Sequence, residues 1–179
     1  LTDAGRAFVG TCRRILGDLD EAERAATGEY RVPRGDLLIT APVVFGRLHV
    51  EPVVLEFQKT YPDINVRLNL ADHFVDLVEN HIDLGVRIGQ LPDSSLVATR
   101  LGAVRWLTCA SPAYLAERGV PRTLGDLGSH DCIAFERLYA TDSWTFRKDG
   151  KPLVVPFQPR FAVNTANGAI DAALAGAGI

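Results

Sequence analysis

Apolar residues in the first 27 positions recur at Leu1, Phe8, Cys12, Ile15, Leu19, Ala22 and Ala26. Steps of mainly three and four residues predict a helix whose apolar side is a narrow seam and not a broad core face. Thr2 is a good N-cap, and Asp3 puts negative charge in the first turn, where the helix dipole favours it. Arg6, Arg13, Arg14, Asp18, Asp20, Glu21, Glu23 and Arg24 flank the seam. Charge on both flanks suits a helix paired with a second copy of itself; packing on its own domain is the plainer alternative. GEYRVPRG, at 28–35, has turn residues and no periodicity, and reads as a hinge.

Beyond the hinge the pattern becomes strand and helix in alternation. Residues 37–40 form a short apolar strand, and 42–60 a helical stretch with Phe45, Leu48, Val53, Val54 and Phe57 inward. Pro52 lies inside that stretch, so the helix either kinks or starts afresh there. Ile64, Val66, Leu68 and Leu70 alternate with polar residues as a second strand. Asp72 is placed to cap a helix using Phe74, Leu77, Val78 and Ile82, and 84–88 is a third strand. Such a β-α-β-α-β run predicts a parallel sheet with right-handed crossovers. Strands follow at 96–101 and 104–110, a helix at 112–118 closed by Gly119, and short strands at 132–135, 144–147, 153–155 and 161–163. A last helix spans 169–175. Gly102 marks the natural boundary between two lobes.

Composition narrows the class. The apolar share of 47% supplies a core, and the charged share of 23% argues against disorder. Net charge is −3 with no basic stripe, so this chain lacks the phosphate-neutralising surface of a nucleic-acid binder. Cys12, Cys109 and Cys132 are odd in number and widely spaced, which favours reduced thiols in a cytosolic protein. No apolar run approaches the roughly 18 residues that span a bilayer. The absence of methionine and the apolar ending AALAGAGI, which reads as a helix leading into a buried strand, predict a piece of a longer protein.

Motifs for catalysis are missing. His49, His73, His81 and His130 have no tight metal spacing, and Ser111 lacks a nucleophile elbow. Gly176-Ala177-Gly178 reads as a helix stop and not a dinucleotide loop. The chain is expected to be no enzyme and to need no metal or cofactor.

LTDAGRAF, at the start, resembles the opening of the linker helix of LysR-type transcription regulators. RGDLLITAPVVFGRLHVEPVVLEFQKTYPDINVRLNL resembles the first strand, helix and second strand of their effector-binding domain. DLVENHIDLGVRIGQLPDSSLVATRL is similar to the third-strand block, CASPAYLAERGVPRTLGDLGSHDCIAF to the entry of the second lobe, and NTANGAIDAALAGAGI to the helix that follows. The resemblance implies an α/β fold like periplasmic binding proteins, with two Rossmann-like lobes around a ligand cleft, preceded by a linker helix and truncated at its C-terminal part. It divides the chain into a dimerisation helix and hinge at 1–33, a first lobe at 34–101 and an incomplete second lobe at 102–179. The implied function is sensing of a small-molecule effector in the cytoplasm, with DNA bound only by a winged helix-turn-helix outside this chain. Homodimers or homotetramers are implied, and no membrane. A periplasmic solute-binding protein of a transport system is the alternative, since the fold would be shared.

Ligands of open α/β sheets sit beyond the carboxyl ends of strands, at loops leading into helices. Pro42, Val43, Val44 and Phe45, after the first strand, are therefore candidates, with free N–H groups suited to an anion. The family often carries Ser or Thr near Val44; valine here favours a more apolar ligand or one held by main chain. Arg87, late in an apolar strand, either pairs with Asp83 or Asp93 or awaits an anionic ligand. Asp93, Ser94 and Ser95 offer a carboxylate and hydroxyls, or form a plain turn. From the second lobe, Ala110, Ser111, Phe135, Trp144, Asn164 and Thr165 are the positions to bring to the cleft, with Trp144 equally at home in the core. An organic acid or an aromatic compound is the expected ligand class.

Overall fold

The computed structural model describes residues 2, 4–5, 8–9, 11–12, 15–17, 19, 22–23, 33–89, 91, 93–135, 142–148 and 150–179. In the N-terminal segment, all the described residues after Thr2 are helical, and the Thr2 hydroxyl accepts from the Gly5 N–H at 3.1 Å, as an N-cap should. Phe8, Ile15 and Leu19 of the seam are exposed in this single chain. Most of the hinge, residues 28–32, lies outside the described residues.

Strand β1 (Gly35–Ala41) is the centre of a parallel three-stranded sheet in the order β2-β1-β3, with β2 at Ile64–Leu70 and β3 at Leu84–Gly85. The alternation read in β2 holds: Ile64, Val66, Leu68 and Leu70 are half-buried and the residues between them exposed. β3 is shorter than predicted, although Asp83 and Val86 each donate one further backbone bond to β1, at 3.0 and 2.8 Å.

The crossover helix runs without a break through Val43–Phe45, a π-type segment at Gly46–Val50, and Glu51–Thr60. Pro52 cannot donate to the carbonyl a turn before it, and the wide turn just upstream accommodates that loss. The wide turn also rotates the buried line. Gly46, Val50, Val54 and Phe57 face inward at steps of three or four, whereas the expected inner residues Leu48 and Val53 are 54% and 66% exposed.

Three predicted elements are absent. Residues 74–82 form turns in place of a helix, and the local capping falls to Asp76, whose Oδ1 accepts from Val78 and Glu79 N–H groups at 2.8 and 2.9 Å. Residues 96–101 and 104–110 are irregular, with Val97 98% and Leu101 82% exposed. A strand exists only with an edge to pair with, and these stretches meet none among the described residues.

The second sheet pairs β4 (Cys132–Phe135) with β7 (Pro159–Val163) in parallel, and Ile179 adds backbone bonds to Asp131 and Ile133 at 2.9 and 2.8 Å. An antiparallel hairpin, β5 (Ser143–Lys148) with β6 (Lys151–Pro156), lies beside it. The helix at Ala166–Leu174 packs on β4 and β7 and stops at Gly176, whose φ of 81° favours glycine. Tyr114, Leu127 and Ile179 form the core here, with Trp144 bridging to Cys132, Ala134 and Phe157. Burial pushes the Cys132 thiol up, helped by the neighbouring Asp131 carboxylate, as expected of an inert core cysteine.

Two interactions hold this second half together and can be measured. The Tyr114 hydroxyl accepts from the Asp131 N–H at 2.9 Å and meets His130 Nδ1 at 3.1 Å. Tyr114→Phe leaves both groups short of a partner and should lower unfolding free energy by about 1–2 kcal/mol in urea titrations. Asp126 closes a capping box with Thr123, accepting from the Thr123 and Arg122 N–H groups at 2.9 and 2.8 Å, and these bonds hold its carboxyl below the usual range. A lowered folded-state pKa contributes stability above the unfolded value of about 3.9 and loses it as pH falls through the folded value. The stability gap between the native chain and Asp126→Ala should therefore be full at neutral pH and close in acid.

Candidate functional site

Register decides which residues meet. β1 and β2 end side by side, with Ala41 opposite Leu70, and the Ala71 N–H reaches the Ala41 carbonyl at 2.9 Å. The chain leaving β1 turns through buried Pro42 into the crossover helix, while the chain leaving β2 reaches Asp72. On the other flank of β1, the chain leaving β3 reaches Arg87. One edge of the sheet thus collects the Pro42-Val43-Val44-Phe45 turn, Asp72 and Arg87.

Arg87 Nη1 donates to Thr40 Oγ1 and to the Val86 carbonyl, each at 3.3 Å. Thr40 is fully buried, so its hydroxyl is dedicated to that contact. Nη2 is also buried and has no acceptor among the described residues. Desolvation draws the guanidinium below its ordinary range, yet an arginine keeps its charge at neutral pH. Among the described residues neither Asp83 nor Asp93 forms an ion pair with it: Asp83 Oδ2 accepts from the Leu38 N–H at 2.8 Å, and Asp93 is exposed.

Asp72 has a use that its sequence neighbourhood concealed. Its Oδ1 accepts from the Val43 N–H and its Oδ2 from the Ala166 N–H, both at 2.9 Å. Val43 opens the crossover helix and Ala166 the helix after β7. Asn167, next along, has a buried Oδ1 without a partner among the described residues. Thr165 caps its helix by accepting from the Gly168 N–H at 3.3 Å, and Asn164 before it is exposed.

The remaining candidates lie elsewhere. Asp93, Ser94 and Ser95 are exposed, and Ser94 Oγ accepts from the Leu96 N–H at 3.3 Å, a local turn. Ser111 accepts from the Tyr114 N–H at 3.2 Å as the N-cap of the helix at Pro112–Arg118, and Ala110 packs on the Tyr114 core. Trp144 stacks on Phe157 with centroids 4.2 Å apart, a core position. Phe135 ends β4 half-buried, its ring 6.0 Å from Trp106. A separate open hollow of about 810 Å³, lined by His130, Asp131 and Arg160 among others, contains none of the predicted residues.

Residues 31–179 match the family model described as the LysR substrate binding domain. The chain is 33% identical over 172 residues to the probable HTH-type transcriptional regulator LtrA of Klebsiella pneumoniae, covering 96% of this chain and 56% of that protein. It is 35% identical over 181 residues to the HTH-type transcriptional regulator PtxR of Pseudomonas aeruginosa, covering 100% of this chain and 57% of that one. The chain thus spans little more than half the length of these relatives. Among solved structures, CrgA, a LysR-type regulator of Neisseria meningitidis, superposes with a TM-score of 0.70 at 27% identity, over 99% of this chain and 60% of that one. The full-length virulence activator AphB of Vibrio cholerae gives 0.66 at 28% identity, over 99% and 60%. The fold is the periplasmic-binding-protein-like α/β fold of LysR regulatory domains. The chain belongs to the LysR family of transcriptional regulators, within which it corresponds to the substrate-binding domain.

Proposed function

We propose that this chain is the effector-sensing half of a cytoplasmic transcription regulator, with a small molecule bound where the first sheet faces the helix after β7. Lobes at 34–101 and 102–179 enclose the ligand, and the segment 1–33 joins copies into a dimer or tetramer through the exposed seam of Phe8, Ile15 and Leu19. DNA is read by a winged helix-turn-helix outside this chain, as the regulator names of its relatives support. The ligand leaves chemically unchanged. It acts by binding one arrangement of the lobes more tightly than the other, and its affinity difference limits how far it shifts them.

One observation supports this reading: the buried Nη2 of Arg87, without a partner among the described residues, beside the strand end from which the crossover helix starts. A charged donor left without an acceptor is costly inside a protein and is stabilised by an incoming anion. Val44 and Phe45, in the turn that leaves β1 beyond Thr40, add half-buried apolar surface. An organic acid with an apolar or aromatic body suits both.

A panel of such acids, with neutral amides as controls, is to be screened by thermal shift. A ligand at a hundredfold excess over its Kd adds about 2.7 kcal/mol, a rise of roughly 5–10 °C for a domain of this size. Arg87→Met should then weaken an acid by about ten- to a hundredfold in calorimetric titrations while changing its amide little. Ser95→Ala should change neither. A panel without any stabilising compound, or equal losses for acid and amide, defeats the reading.

A further inference from the structure

Asp72 is the one described side chain that hydrogen-bonds backbone at the start of two helices from different sheets. The crossover helix continues from Val43 to Thr60, and the other helix spans Ala166–Leu174, so both are long enough to carry a dipole. Val43 and Ala166 each hold the first helical position, where an N–H has no acceptor within its own helix. Pro42 offers no side-chain cap, and the Thr165 hydroxyl is taken by Gly168. Without Asp72 both N–H groups would lose their acceptor, and two positive helix ends would face each other. With it, one oxygen serves each helix, and no described Lys or Arg pairs with the carboxylate to weaken its hold.

Resting on the effector-sensing reading above, we infer that Asp72 is an interlobe latch: its carboxylate ties the start of the first lobe's helix to the start of the second lobe's helix and holds the two lobes in this arrangement. Bonds to a charged acceptor are roughly twice as strong as neutral ones; the Val43 bond fixes the carboxylate within the first lobe, and the Ala166 bond is the one that breaks when the lobes separate. An effector shifts the lobes by loosening or reinforcing this tie. The Asp72 side chain therefore sets the resting balance that the effector works against.

The test needs no effector, so it can fail while ligand sensing stands. Hydrogen–deuterium exchange is followed on the whole chain at the Val43 and Ala166 amides, with the Ser111-capped Tyr114 amide as control. In Asp72→Asn both amides should exchange about tenfold faster or more, together, with Tyr114 unchanged. In Asp72→Ala, acetate should slow both again and acetamide should not, because the charge is what the two helix ends hold. Faster exchange at Val43 alone would reduce Asp72 to a local cap, and acetate acting no better than acetamide would remove the role of charge; either overturns the latch. Should Asp72→Ala fail to fold, the paired response in Asp72→Asn decides alone.

Discussion

Parallel pairing of β1 with β2, in unbroken register from Gly35 opposite Ile64 to Ala41 opposite Leu70, brings two strand ends to one edge of the sheet. The rest of the site depends on that alignment. A shift of one residue would turn every side chain of β2 to the other face and carry Asp72 away from Val43. Because parallel strands need a crossover between them, the same register also requires a helix to start where β1 stops. Asp72, 29 residues on from Val43, and Arg87, 47 residues on from Thr40, are thus brought to one edge of the sheet.

The two halves treat buried polar groups differently. Around Tyr114 the polar atoms are matched: Ser111 caps, the tyrosine hydroxyl bridges His130 and Asp131, and Asp131 also holds Arg160 at 2.8 Å. Arg87 Nη2, beside Thr40 of the first sheet, and Asn167 Oδ1, on the helix after β7, are buried and have no partner among the described residues. Unmatched buried polar atoms lower stability, and a region that concentrates them gains the most from a polar ligand.

Local pattern was a sound guide wherever a segment's own period agreed with its surroundings. The alternation of Ile64, Val66, Leu68 and Leu70 became β2, Gly119 closed the helix at Pro112–Arg118, and Thr2 capped the first one. It misled where the outcome rested on a distant partner. The apolar stretches 96–101 and 104–110 have strand-like composition without an edge to pair with, and Leu48 turned outward because a π-type turn rotated its helix. At the site, Arg87 and the Pro42 turn were legible, since an arginine in an apolar strand and a loop at a strand end are conspicuous in one dimension. Asp72, Thr40 and Asn167 were not, because Asp-capped turns and threonines in strands are ordinary until their partners are known.

The amino-acid order alone determined the strands β1 and β2 with the helix between them, the helix at Pro112–Arg118 and the family resemblance, all of which arise from contacts a few residues apart or from runs of matching blocks. Tertiary structure alone decided which carbonyls and N–H groups each polar side chain would meet. Val43 and Ala166 are separated by more than a hundred residues, and only the packing of two sheets can bring both to a single carboxylate.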